Sequence, residues 1–208
     1  MLKQLTERYP ELSCCEAELK NAKNMMIETY RSGGKILVCG NGGSCADSDH
    51  IVGELMKGFL QKREMSLRTA EKFRSALGEE NARPFIEKLQ CAVPAISLPA
   101  QSALLSAYAN DVDAKMAYAQ LVFGYAKKED LLIAISTSGN SENIVAAAMT
   151  AKALGVRSIA LTGATESSLS RLCDCTVRVP ETETFKVQEL HLPVYHYLCA
   201  ATEKELFG

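Results

Sequence analysis

Short apolar runs recur along the chain between segments with helical periodicity. Five of these runs lie at residues 36–39, 93–98, 130–136, 158–163 and 176–180. Runs that are apolar at consecutive positions are typical of strands covered on both faces, as they are in a parallel sheet. Because helical segments alternate with them, the pattern predicts an α/β fold, a doubly wound αβα sandwich with a mostly parallel five-stranded sheet.

Apolar residues at spacings of three and four positions predict the helices. They span residues 14–32, 102–109, 114–127, 142–154 and 184–206, and a further helix follows the first strand. The N-terminal helix precedes the first strand and needs a packing partner, for which a subunit interface is one candidate. In the last helix Pro193 either causes a kink or delays the start, because proline lacks the N–H of the helical hydrogen bond.

Residues 59–90 form a charged excursion in which acidic and basic side chains are mixed. A solvated helical hairpin beside the core explains this mixture better than a nucleic-acid patch does. An apolar stripe is expected along it, supplied by Phe59, Leu67, Phe73, Leu77, Phe85, Ile86 and Leu89. We therefore expect a single domain over residues 1–208 with this hairpin as an appendage.

Length and composition fit one core and exclude several classes of partner. The chain has 208 residues, of which 47% are hydrophobic, and a net charge of -2. This charge gives no broad attraction for nucleic acid or an anionic membrane. No apolar run reaches the length of a membrane span, the N-terminus lacks a signal-peptide core, and the eight cysteines are scattered. We expect a cytoplasmic protein with reduced thiols and neither a nucleic-acid nor a membrane partner.

A glycine-rich turn, Gly-Asn-Gly-Gly-Ser at residues 40–44, follows the first strand. Its glycines allow positive φ and close approach of the backbone, and Ser44 can cap the helix that follows. A bound anion would meet free N–H groups and the positive end of that helix. The turn lacks the third glycine of a dinucleotide loop, the lysine of an ATP loop and the second glycine of a hydrolase elbow. A phosphate loop of another kind and a purely structural turn both remain open.

Four hydroxyls crowd the loop after the third strand, those of Ser136, Thr137, Ser138 and Ser141. A helix begins directly after them, so hydroxyls and helix amides together could hold a phosphoryl group without lysine. A capping turn explains one or two of the four, whereas all four together favour a phosphate pocket. In a parallel sheet this loop and the glycine turn lie at the same edge.

Three histidines lie in two short helical segments. His50 and Glu54 are four residues apart, so both side chains leave the same face of their helix. Gln188 and His196 are eight apart, about 80° around the axis, and can share a broad face, whereas His191 points elsewhere. A lone helical histidine is more often a packing residue, but this pairing beside two phosphate-type loops favours a site.

Together these motifs resemble the sugar isomerase (SIS) domain family, and within it the phosphoheptose isomerases, also called sedoheptulose 7-phosphate isomerases. The matching motifs are Gly-Asn-Gly-Gly-Ser at 40–44 with His50 and Glu54, Ala-Asn-Asp at 109–111, Ser-Thr-Ser-Gly-Asn-Ser at 136–141, and Gln-Glu-x-His-x-x-x-x-His at 188–196. They cover nearly the whole chain apart from about 62–90. The serine loop is common to all SIS domains, so the two pairs that involve His50 and His196 are the specific part.

The resemblance implies a phosphosugar aldose-ketose isomerase, with sedoheptulose 7-phosphate and glycero-manno-heptose 7-phosphate as the interconverted sugars. Glu54 would be the base and His196 the acid of the proton transfer through an enediol. The implied substrate-binding residues are Asn41, Gly42, Gly43, Ser44, Glu54, Asn110, Asp111, Ser136, Thr137, Ser138, Ser141 and Gln188. Some members bind zinc at positions that match His50, Glu54, Gln188 and His196, where it could be catalytic, structural or inhibitory. Members are typically homotetramers whose sites combine neighbouring subunits, and no nucleotide cofactor is implied.

Two positions depart from the family pattern. Phe185 stands where an aspartate is usual, and Gly58, beside Lys57, stands where an arginine is common. Both lie near the expected substrate, so an isomerase of another phosphosugar is an alternative. A non-catalytic SIS module, which senses phosphosugars or binds a replication initiator, is a second alternative. The presence of both Glu54 and His196 and the lack of a DNA-binding element favour the enzyme.

Overall fold

A five-stranded parallel sheet forms the centre of the computed structural model, which describes all 208 residues. The strands are β1 (Ile36–Gly40), β2 (Ala95–Ser97), β3 (Leu131–Ile135), β4 (Arg157–Thr162) and β5 (Cys175–Arg178). Their order is β2-β1-β3-β4-β5, and every neighbouring pair is parallel. This confirms the predicted sheet, and each strand end lies within two residues of its predicted position.

Ten α-helices surround the sheet. They are α1 (Leu2–Arg8), α2 (Glu16–Arg31), α3 (Gly43–Met56), α4 (Leu67–Leu77), α5 (Glu79–Lys88), α6 (Ser102–Tyr108), α7 (Ala117–Tyr125), α8 (Glu142–Ala153), α9 (Ser168–Leu172) and α10 (Thr184–Phe207). The sequence pattern missed α1 and α9, which are too short to show a clear period. Helix α10 begins at Thr184 and contains Pro193, so the late start that the proline allowed is wrong. None of the helices has the length and apolar character needed to cross a bilayer.

The alternation of side chains along the strands divides the core into two layers. Ile36 and Val38 of β1 join the layer that includes α2, α3 and α10. Leu37 and Cys39 join the other layer, which α7 and α8 cover. All residues of β1 and β3 are buried, which explains why both strands are apolar without interruption.

Helix α2 packs within its own chain. Leu19, Ala22 and Met26 are completely buried, in the layer shared with α10. The apolar face of α2 therefore packs on the core of its own chain, and a subunit contact of this helix stays a prediction.

Helices α4 and α5 form the predicted solvated hairpin. They contact one another through Phe73 and Phe85, whose ring centroids are 5.8 Å apart, and each buries a single alanine. Much of the expected apolar stripe faces outward, and Leu67 is 86% exposed. The hairpin thus projects from the core.

A buried ion pair fastens the base of this excursion to the core. The guanidinium of Arg63 is fully buried and donates from Nε to Glu203 of α10 over 2.7 Å. It also donates to carbonyls at the end of α3, including that of Glu54. The backbone amides of Phe59 and Leu60 also donate to the Glu203 carboxylate. Burial acts to raise the pKa of Glu203, but these hydrogen bonds and the one from Arg63 hold it below its usual value. Both ions are fully satisfied, which a buried pair requires.

His191 lies inside the same layer as a neutral core residue. Its side chain is completely buried, and neither ring nitrogen has a hydrogen-bond partner of ordinary geometry. Burial lowers the pKa of the imidazole to about 4, with the backbone of Thr162 acting in the opposite direction. In the unfolded chain the same imidazole is protonated with its ordinary pKa of 6.5.

We expect His191 to make folding depend on pH between about 6.5 and about 4. In this range the unfolded state binds a proton that the native state does not, so the free energy of unfolding falls as pH falls. The loss from this residue reaches about 3 kcal/mol near the lower limit. Urea unfolding of the native chain and of His191→Asn at both ends of this range measures it. The variant should lose clearly less stability on acidification, and equal losses would contradict the lowered pKa.

Candidate active site

The order of the strands places both polar loops at one edge of the sheet. β1 and β3 are neighbours, and Gly40 pairs with Ile135 at their carboxyl ends. The chain leaves β1 toward β2 on one side and later returns to β3 on the other, so the connections diverge here and leave a crevice. The glycine turn and the serine loop therefore start side by side, as the sequence predicted.

Gly40 and Gly42 of the turn are required for different structural reasons. Gly42 has a φ of 55°, and at Gly40 a Cβ would lie 2.3 Å from the carbonyl oxygen of Ser44. Helix α3 begins at Gly43, so Ser44 lies buried in the first turn and makes no capping bond. The predicted cap is therefore wrong. The amides of Asn41, Gly42, Gly43 and Ser44 donate no hydrogen bond within the chain, which leaves them available to an anion.

The serine loop has hydroxyls that helix capping does not use. The hydroxyls of Ser136 and Ser141 lie 3.0 Å apart, and no side chain caps α8. Ser138 accepts a hydrogen bond from the amide of Asn140, and the Thr137 hydroxyl has no partner in the chain. The amides of Thr137 and Ser138 are also free. The loop can thus offer neutral donors to a phosphoryl group.

A side-chain pair joins the two loops. Asn41 and Asn143, in the first turn of α8, exchange two hydrogen bonds of 2.8 and 2.9 Å. The sequence reasoning missed Asn143, because an asparagine near a helix start is ordinarily read as part of a cap. The pair holds the two loops together.

Helices α3 and α10 bring the predicted acid-base residues together. His50 Nε2 lies 3.3 Å from Glu54 Oε1 and 3.4 Å from His196 Nε2. The Glu54 side chain is only 15% exposed, and its second oxygen lies 3.2 Å from Lys57 Nζ. Burial lowers the pKa of His196, His50 lowers it further, and Glu54 acts in the opposite direction. A neutral imidazole beside a carboxylate can exchange a proton in either direction.

Gln188 connects this cluster to the glycine turn. A Cβ at Gly43 would lie 2.6 Å from the amide nitrogen of Gln188, so the two residues are in close contact. The same helix carries His196 two turns later. Helix α10 therefore reaches the glycine turn and the acid-base cluster at once.

Not every predicted substrate residue reaches the cluster within one chain. Asn110 and Asp111 are exposed on a π-helical turn, residues Ala109–Asp113, and they bond only to one another. An apolar pocket of about 530 Å³ reaches His196 from the side of α1, and neither polar loop lines it. Asn110 and Asp111 therefore make no hydrogen bond to the acid-base cluster within one chain.

The two departures from the family pattern have different structural settings. At Gly58 a Cβ would lie 2.3 Å from the carbonyl oxygen of Gln61, so no side chain fits there. Lys57 instead supplies a cation to Glu54. Phe185 is 56% exposed at the start of α10, with the ammonium of Lys186 5.8 Å from the centre of its ring.

Two further side chains contact the cluster and were missed by the sequence reasoning. The hydroxyl of Tyr195 lies 3.1 Å from His50 Nδ1 and 3.2 Å from Asp47 Oδ1. Burial raises the pKa of Tyr195 and also that of Asp47. The available signal was the position of Asp47, three residues before His50 on the same helix face.

The donor atoms of the predicted zinc ligands partly fit a metal. Ligands on tetrahedral zinc, with bonds of about 2.0–2.1 Å, are roughly 3.3–3.4 Å apart. The spacings from His50 to Glu54 and to His196 match this value. No group of three or more His, Cys, Asp and Glu side chains is arranged to hold a metal ion in the chain by itself.

Comparison with known proteins gives consistent matches. Two family models, each described as the SIS domain, match residues 95–201 and 3–93. A phosphoheptose isomerase of Clostridium acetobutylicum is 35% identical over 191 residues, which are 92% of this chain and 84% of that protein. Phosphoheptose isomerase 2 of Campylobacter jejuni is 35% identical over 190 residues, which are 91% of this chain and 81% of that protein.

Solved structures of similar proteins share the fold. A phosphoheptose isomerase from Francisella tularensis gives a TM-score of 0.77 at 28% identity, covering 95% of this chain and 91% of its own. The enzyme from Neisseria gonorrhoeae gives 0.72 at 26% identity, covering 97% and 91%. Both confirm the fold class that the sequence predicted.

Replacing Gly43 tests the contact between the glycine turn and α10. In Gly43→Ala the new methyl group would meet the end of the flexible Gln188 side chain, which has to move aside, so we expect little or no gain in stability from this change. Gly53→Ala is the matched control on the same helix, because nothing lies within 4 Å of its Cβ. It should stabilise the chain by about 0.5–1 kcal/mol. Chemical denaturation measures both, and equal effects of the two changes would contradict the close contact.

Proposed function

This chain belongs to the SIS domain family and is an aldose-ketose isomerase, and we propose that it interconverts sedoheptulose 7-phosphate and glycero-manno-heptose 7-phosphate. The observation that carries the proposal is the meeting of Glu54, His50 and His196 beside two loops rich in free amides and hydroxyls. The relatives named phosphoheptose isomerase support the same substrate. They also favour an enzyme over a non-catalytic SIS module.

The cluster suits a proton transfer between neighbouring carbons. The Glu54 carboxylate takes the proton from the carbon beside the carbonyl, which gives an enediol, and returns it to the adjacent carbon. Neutral His196 has one N–H and one free lone pair, so it can give a proton to one sugar oxygen and take one from the next. Lys57 is 3.2 Å from the second Glu54 oxygen and helps to keep the carboxylate in place.

Neutral amides and hydroxyls would bind the phosphate end of the sugar. The free amides of the glycine turn and the hydroxyls of Ser136, Thr137, Ser138 and Ser141 lie on adjacent loops at one sheet edge. Helix α3 starts at one of these loops and α8 at the other, and the N-terminus of a helix attracts an anion. Gln188, which contacts the glycine turn, would bind between the phosphate and the reacting carbons.

Zinc is a further part of the proposal. His50, Glu54 and His196 with Gln188 would hold the ion, and the two matching donor spacings support this set. When bound there, zinc would supply Lewis-acid polarisation of the sugar carbonyl.

A homotetramer would supply the remaining part of the site from another subunit. Asn110 and Asp111 make no hydrogen bond to the cluster in their own chain, although the family pattern assigns them to the sugar. Exposed apolar side chains such as Phe123 and Val112, 66% and 64% exposed, support contact with another subunit.

Glu54→Gln is expected to lower kcat by about 10²–10⁴-fold, since it removes the base and keeps the shape. Substrate binding and the oligomeric state should stay intact, because the amide fills the same space. A coupled assay measures turnover, and calorimetry measures binding. Glu205→Gln, at a surface ion pair of α10, is the control and should keep full activity. Unchanged turnover in Glu54→Gln would remove this residue from the role of base.

A panel of phosphosugars tests the substrate. We expect the highest kcat/KM for sedoheptulose 7-phosphate, followed by pentose and hexose phosphates. The exposed phenyl ring of Phe185 and the absence of a side chain at Gly58 favour the alternative of another phosphosugar. A preference for a pentose or hexose phosphate would establish that alternative, and no turnover of any sugar would contradict the proposed reaction.

A further inference from the structure

Tyr118 of α7 reaches the glycine turn from inside the protein. Its side chain is buried, and its hydroxyl donates a hydrogen bond of 2.9 Å to the carbonyl oxygen of Gly40, the last residue of β1. A carbonyl only accepts, so the hydrogen of this bond belongs to the tyrosine. Helix α7 thus holds a backbone group that lies 78 residues earlier in the chain.

The short length of β2 explains why Gly40 needs this partner. The pairing of β1 with β2 stops at Val38 and Ser97, so no residue of β2 lies opposite Gly40. The carbonyl of Val38 still accepts from the amide of Leu98. Because alternate residues of a strand direct their carbonyls to the same side, that of Gly40 also lies on the β2 side. Tyr118 therefore takes the place of the missing strand, as a buried carbonyl requires.

The same bond fixes the direction of the next amide. In a planar trans peptide the carbonyl and the N–H point in opposite directions, and the chain has no cis peptide. With the Gly40 carbonyl on the side of β2, the N–H of Asn41 lies on the side of β3 and of the serine loop. This N–H has no partner in the chain. It therefore faces the crevice between the two polar loops.

We propose that Tyr118 is a positioning residue that keeps the Asn41 N–H turned toward the bound phosphate. Without the hydroxyl, the peptide between Gly40 and Asn41 can rotate, since glycine accepts backbone angles that other residues avoid. Rotation would put a carbonyl oxygen in place of the donor, and the oxygen would repel an anion. The side-chain bonds between Asn41 and Asn143 do not involve this peptide. The inference rests on the phosphate-binding part of the proposed function and not on the identity of the sugar.

The hydroxyl favours this role over packing alone. A phenylalanine at position 118 would fill the same space in the layer that α7 and α8 cover. The only group it would lack is the hydroxyl, whose one hydrogen bond is to Gly40. Tyr118→Phe therefore keeps the packing and removes the contact with the glycine turn.

Binding of inorganic phosphate tests the role without the reaction. Calorimetry should show that Tyr118→Phe binds phosphate about 10-fold or more weakly than the native chain, because a hydrogen bond to a charged group is lost. Nitrogen-15 NMR locates the ion, since phosphate should shift the Asn41 amide signal in the native chain and shift it less in the variant. Tyr125→Phe is the matched control, because it removes a hydroxyl bond of the same helix, to Gln101 at the surface. It should bind phosphate as the native chain does.

Three results of these measurements would overturn the proposal. They are native phosphate affinity in Tyr118→Phe, an equal loss in Tyr118→Phe and Tyr125→Phe, and an Asn41 amide that phosphate does not shift in the native chain. An equal loss would mean that the hydroxyls only stabilise α7.

Kinetics give a second arm. Tyr118→Phe should raise KM for the phosphosugar by about 10-fold while kcat stays within about threefold, because the change lies at the phosphate end and not at Glu54 or His196. A lower kcat at unchanged KM would contradict the proposal. If the native chain turned over no phosphosugar but phosphate binding depended on Tyr118 as expected, the proposed function would fail and the role of Tyr118 would stand.

Discussion

The parallel register of β1 and β3 is the constraint on which the rest of the site depends. Gly40 and Ile135 end their strands side by side, so the glycine turn and the serine loop have to leave the sheet together. The helices that follow start at this edge and turn their N-termini toward the same crevice. Free amides collect there because neither turn has a backbone partner for them. The phosphate-type chemistry thus follows from the topology, and the loops supply only small side chains.

Helix α10 is the second organising element, because it joins parts of the site that are distant in sequence. Gln188 contacts the glycine turn, His196 contacts His50, and Tyr195 contacts both His50 and Asp47. A shift of this helix would move all these contacts together. The bond between Glu203 and Arg63 fixes its far end to the end of α3. Five contacts thus fix these two helices around one candidate site.

The sequence predicts those features of the fold and the site that depend on the local pattern of residues. The five strands, the two loops and the pairing of His50 with Glu54 follow from apolar runs and helical spacing, and the structure has them all. Ser44 failed as a cap because the positive φ at Gly42 lets α3 begin two residues earlier, at Gly43. The contact between Tyr195 and Asp47 could not be foreseen, because it joins positions 148 residues apart and depends on how α10 crosses α3. The roles of the site residues remain proposals.

The anchored base of the hairpin has a consequence for how the protein can vary. Arg63 ends the path that connects the excursion to the core, and beyond it α4 and α5 contact mainly one another. The turn between them, at Gly78, lies at the outer end of this projection and has a positive φ of 76°. Insertions or deletions in this turn would therefore not disturb the crevice at the sheet edge. The outer part of the excursion can therefore change in sequence and length, by evolution or by design, while the sheet and the site stay the same.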